Sequence, residues 1–132
     1  MKFLIFLKIF ITFHFSFLIA EEIECQGAVL RILNKATNEK SYFTVPLSQT
    51  LELDNTNIIV HRCVKVEQDE GNDEIALISH KLSNDQNAKF SFFGWIFKTS
   101  QYINSPKNSV FDIKLEECLL EDPIFLKNSK FI

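Results

Sequence analysis

A chain of 132 residues with 14 Lys+Arg against 17 Asp+Glu, formal net charge −3, has no basic surplus with which to hold nucleic acid or anionic lipid. Its length allows one domain with one core and is too short for two. Phe, Ile, Lys and Asn are all abundant, the residue set that AT-rich coding sequence produces by drift, so Phe enrichment alone carries little weight.

Met1–Ala20 reads MKFLIFLKIFITFHFSFLIA. Lys2 gives it a basic start, Ile9–Ile19 is apolar except for Thr12, His14 and Ser16, and small Ala20 precedes Glu21-Glu22. That is the pattern of an export signal, and it predicts a protein carried across the inner membrane into the periplasm. An uncleaved anchor is the alternative, because the apolar stretch approaches the ~20 residues that span a bilayer. Lys8 within the apolar run and Ala20 beside the acidic pair favour cleavage; Leu18 is larger than a signal peptidase prefers. Membrane contact is expected only through such an uncleaved signal. Ile23-Glu24 ahead of Cys25 excludes a lipoprotein site. The expected organisation is a signal at 1–20, a β-domain at 21–121 and a C-terminal tail at 122–132. Beyond Ala20, 12 Lys+Arg stand against 17 Asp+Glu, a net charge of −5.

Next along the chain, Ala28–Leu33 is a short apolar run closed by the polar cluster Asn34–Asn38. Ser41–Leu47 alternates, with Tyr42 and Thr44 opposed to Phe43 and Val45, and Pro46 marks a strand end or edge. The two runs predict a hairpin. Leu51–Leu53 opens another strand, Asp54-Asn55 turns the chain, and Asn57–Val66 is a longer β-branched run. Glu67–Glu74 is expected to be a solvated acidic loop. Ile75–Leu82, Phe90–Phe97 and Val110–Glu116 complete the predicted strands, separated by Asn84–Asn87 and Lys98–Ser109. Apart from the leading segment nothing shows a helical period. Short strands divided by turn signals predict an all-β domain, a small sandwich or partly open barrel. Asp122–Ile132 is an apolar-tinged tail suited either to covering a sheet edge or to meeting a partner.

Cys25, Cys63 and Cys118 are an odd number for an exported chain, so one pair and one remaining thiol are expected. Cys63 and Cys118 both lie beside strand-like runs, whereas Cys25 lies in a polar lead. A Cys63–Cys118 bridge is therefore predicted, with Cys25 as the candidate free thiol.

FSFFGWIF at Phe90–Phe97 is the strongest local signal. As a strand it places Phe93, Trp95 and Phe97 on one face and Phe90, Phe92, Gly94 and Ile96 on the other. Two apolar faces predict a central strand buried on both sides. The functional alternative makes Phe93, Trp95 and Phe97 a binding surface for a sugar ring or a peptide. Gly94 beside Trp95 is expected to mark a bulge or close packing.

Catalytic and metal chemistry find little support. His61 and Cys63, two apart on a strand, would point the same way and with Cys25 form a soft metal site, but metal-ligand spacing is absent. His80 after Ser79 lacks a nucleophile elbow. Asp112 and Glu116, ~13 Å apart on one strand face at ~3.3 Å per residue, are too far apart for either glycosidase geometry. No catalytic residue, cofactor or metal is assigned.

The order of several blocks resembles one known family. AVLRILNKATNEKSYFTVPL at Ala28–Leu47, the run ending in Cys63, FFGWIFKTS at Phe92–Ser100 and VFDIKLEEC at Val110–Cys118 are similar to the small exported alphaproteobacterial proteins grouped as domain of unknown function 2155. Thr99-Ser100-Gln101, Asn108-Ser109 and Lys114 depart from that family's usual Ser-Ser-Pro turn, His-Pro pair and last-strand Trp, and Cys25 looks like an addition. The resemblance implies an exported single domain and supplies no catalytic residue. The resulting expectation is a non-catalytic interaction or assembly factor of the cell envelope, partnered by an envelope protein. A module that binds or cleaves cell-wall glycan is the alternative.

Overall fold

The computed structural model describes residues 21–69, 71–82 and 91–131. The leading segment Met1–Ala20 and the Asn84–Asn87 separator lie outside the described residues. Among the described residues nine strands form two antiparallel sheets that do not close into a barrel.

The first sheet holds β1 (Glu21–Glu24), β4 (Thr50–Leu53), β5 (Thr56–Gln68), β6 (Gly71–Leu82) and β7 (Phe92–Phe97), in the order β1-β5-β6-β7 with β4 also on β5. The second holds β2 (Gly27–Asn34), β3 (Lys40–Pro46), β8 (Phe111–Leu119) and β9 (Lys127–Phe131), in the order β8-β2-β3-β9. The chain changes sheets between β1 and β2. At that corner the Cys25 N–H donates to Cys63 O (2.8 Å) and the Gln26 N–H to Leu119 O (2.8 Å).

Alternation builds the core. Ala28, Leu30 and Ile32 from β2, Phe43 and Val45 from β3, and Ile113 and Leu115 from β8 point inward from the second sheet. Leu51, Ile58, Val60, Ala76, Ile78 and Ile96 meet them from the first. Each such Val, Leu, Ile or Phe side chain removes apolar area worth about 1.5–3 kcal/mol from water. The Cys63–Cys118 disulfide, with its Cα atoms 5.6 Å apart, joins β5 to β8 and so ties one sheet to the other.

The hairpin of β2 and β3 is the predicted one, paired Gly27↔Pro46 through Leu33↔Lys40. Several other expectations are corrected. Glu67–Glu74 is not a loop: β5 runs to Gln68 and β6 begins at Gly71, opposite it. A ladder continued by backbone hydrogen bonds carries polar side chains at its exposed end without an apolar pattern. Among the described residues Phe92–Phe97 is not central: β7 pairs with β6 alone and ends the sheet order. Glu21–Glu24, read as a polar lead, is an edge strand on β5. Lys127–Phe131 covers the free side of β3, the first of the two roles considered for the tail. Cys25 remains unbridged, yet it is buried at 1 % exposure in the corner rather than solvated.

Candidate interaction surface

The registers of β5, β6 and β7 stack three rows across the outer face of the first sheet. Val64, Ile75 and Phe97 form one row, Arg62, Leu77 and Trp95 the next, and Ile59, Ser79 and Phe93 the third. Most of these positions are apolar on a face outside the core cluster, and of them Val64 and Ser79 are buried beneath their neighbours. Phe93 is 58 % exposed, while Trp95 and Phe97 are half-buried. The second face of β7 meets the expectation of packing: Ile96 is buried and Phe92 lies against the core.

A bulge between Val60 and Arg62 shapes the rim of this surface. The bulge breaks strand parity, so His61 and Cys63 do not face together as the sequence spacing predicts. Cys63 turns into the core. His61 turns to the outer face, where Nε2 lies 2.9 Å from Ser79 Oγ and its ring centroid lies 5.5 Å from that of Phe93. The Arg62 guanidinium sits over the Trp95 ring, 5.5 Å from its centroid, and pairs with Glu24 of β1. One face of the indole is thus occupied by a cation.

The loop after β7 is pinned against this strand. Asn104 Nδ2 donates to Trp95 O (2.9 Å), a carbonyl on the side away from β6. A Cβ on Gly94 would meet that same Nδ2 at 3.1 Å and the Phe92 ring at 3.2 Å, so Gly94 marks close packing and not a bulge. Gln101 is clamped from below: Arg31 donates to its Oε1 (3.1 Å) and Lys114 Nζ to its main-chain O (2.7 Å). The Lys114 ammonium also lies 5.2 Å from the Tyr102 ring centroid. These anchors leave Tyr102 94 % exposed and Ile103 60 % exposed beside the edge strand.

The remaining polar residues serve the fold. Asn108 Oδ1 accepts the N–H groups of Val110 (2.9 Å) and Phe111 (3.0 Å), which fixes the amide so that Nδ2 donates to Thr56 Oγ1 (2.8 Å) and His80 Nε2 (3.0 Å). The His80 proton is therefore on Nδ1, 2.6 Å from Ser91 Oγ, and the Ser91 hydroxyl donates to His80 O (2.9 Å). A histidine that donates to the serine cannot take its proton, so this Ser-His-Asn set is no activated nucleophile. Burial holds the imidazole below its ordinary pKa.

Glu74 joins the sheets near the disulfide: Oε1 accepts the Cys118 N–H (2.9 Å), and Oε2 accepts from Lys98 Nζ (2.8 Å). Desolvation works against its charge, but the Lys98 and Cys118 hydrogen bonds with the Lys98 and Lys65 charges keep its pKa low. Asp112 pairs with Lys114 (3.6 Å) and Glu116 with Arg31 (3.8 Å). Among the described residues, no three His, Cys, Asp or Glu side chains gather as metal ligands. Burial raises the Cys25 pKa, an effect only partly offset by the Lys65 charge.

Fold and surface together define a small two-sheet, disulfide-tied β-domain with an outward aromatic row. The chain belongs to a family of uncharacterized proteins conserved in bacteria, DUF2155, whose family model matches residues 28–118. No curated protein and no solved structure matches it.

Proposed function

We propose that this domain is a non-catalytic binding module of the cell envelope, exported to the periplasm, that docks a protein partner on the outer face of its first sheet. Phe93, Trp95 and Phe97 supply the apolar centre, and Arg62 and His61 its polar margin. The observation carrying this reading is an aromatic row standing on the solvent side of an edge strand, where an unpartnered sheet face ordinarily carries polar residues. Aromatic side chains beside an arginine are the residue types that dominate protein interfaces. The signal-like Met1–Ala20 and a disulfide closing a 55-residue separation fit an oxidising compartment. A cell-wall glycan is the competing ligand; against it, Arg62 already occupies a face of Trp95 on which a sugar would stack.

Crosslinking in intact cells followed by tagged purification, with and without peptidoglycan digestion, tests the reading. A discrete protein partner that survives digestion and is lost with Phe93→Asp is the expected result. Recovery that depends on intact peptidoglycan would put the glycan reading in its place.

A further inference from the structure

All three cysteines lie in one core cluster, at the corner where the chain changes sheets. The β1–β5 register, running from Glu21↔Glu67 to Glu24↔Val64, continues one step to set Cys25 opposite Cys63. The Cys25 N–H donates to Cys63 O (2.8 Å), so the two form a hydrogen-bonded antiparallel pair. Such a pair holds its Cα atoms about 5.5 Å apart, inside the ~4.4–6.8 Å that a disulfide spans. Opposite residues of a ladder also project to the same face, here the core. On the other side, the Gln26 N–H donates to Leu119 O, one residue beyond Cys118. Cys25 therefore sits between the strands of the two bridged cysteines, placed to bond Cys63 itself.

We infer that Cys25 is a temporary partner for Cys63 during folding: these two bridge first, and Cys118 then takes Cys63 over. Order along the chain favours this. Cys25 and Cys63 both precede β8, and they close a shorter loop than the 55-residue separation of the final bridge. The early bond holds β1 on β5 and keeps Cys63 from pairing with other chains. Its electrons go to a disulfide-bearing thiol oxidant, which accepts two electrons and two protons from the Cys25 and Cys63 thiols. The Cys118 thiolate then attacks Cys63 Sγ. The Cys63–Cys118 bond forms and the Cys25–Cys63 bond breaks; the Cys25 sulfur leaves with the electron pair and takes up the proton that Cys118 lost. This second step needs no oxidant. Burial then protects the result: Cys25 is 1 % exposed and desolvation raises its pKa, so little thiolate remains to attack the finished bridge.

Oxidative refolding tests the relay. Reduced, unfolded protein is refolded in a buffer of reduced and oxidised glutathione, quenched with acid at intervals, alkylated and mapped by peptide mass. Cys25–Cys63 should appear first and decay as Cys63–Cys118 grows. Cys25→Ala should slow formation of the Cys63–Cys118 bond about fivefold or more while leaving the urea midpoint unchanged. Cys118→Ala removes the successor and should hold Cys25–Cys63 as its main oxidised form. A cysteine that only fills the corner predicts none of these. Absence of Cys25–Cys63 from every time point, an equal or faster Cys63–Cys118 bond in Cys25→Ala, or Cys25 and Cys63 left unbridged in oxidised Cys118→Ala would each overturn the proposal.

Discussion

At the scale of single residues, buried polar groups carry definite consequences. Asn108 satisfies two backbone N–H groups, a threonine hydroxyl and an imidazole nitrogen at once. Asn108→Ala leaves these unpaired in a dry site and should cost about 2–3 kcal/mol in urea unfolding. His80 binds its proton less readily when folded than when unfolded. Its contribution to stability is therefore complete above the ordinary histidine pKa of about 6.5 and lost as pH falls below it toward the lower folded value. Unfolding midpoints should drop between pH 7.5 and pH 5.5, and the drop should shrink in His80→Gln; an unchanged drop would place the titration elsewhere. Cys25 combines burial with a raised pKa. Native protein should react with a thiol reagent only at the rate of unfolding, while Cys25→Ala keeps the fold; rapid native labelling would contradict the corner packing.

At the scale of elements, the legible strands were those with an apolar period. Phe43 and Val45 against Tyr42 and Thr44 gave away β3 and its pairing with β2. The strands EEIE and KNSKF had no such period, because edge strands take their order from the ladder of a neighbour. Phe92–Phe97 was legible as a strand and misread as central, since composition reports apolarity and not which side of it meets water. The bulge at His61 had no signal in the residue types, yet it decides that His61 belongs to the candidate surface and Cys63 to the core. Cys63 and Cys118 were legible as a pair from the strands beside them. Two predictions belong here. Ending the chain at Leu126 removes β9 and bares the edge of β3, so protease resistance should fall and aggregation rise. Replacing both Cys63 and Cys118 by Ala should cost about 4 kcal/mol by the chain-entropy relation for a loop of this length, read as a lower denaturant midpoint.

At the scale of the whole molecule, the two sheets are drawn from different parts of the chain. Apart from β1, the first is built from the continuous middle, β4 to β7; the second joins β2 and β3 to β8 and β9 from the far end. Proteins are made from the N-terminus onward. The β2–β3 hairpin is therefore born early, with both flanks bare, and stays so until the residues from Phe111 to Phe131 have emerged. The disulfide waits too, since Cys118 lies on β8, late in the chain. The molecule thus has a long adolescence, in which half of its structure waits for partners still unmade. Whatever shields that hairpin in the interval, a chaperone or simply speed, matters as much to its yield as the stability of the finished fold.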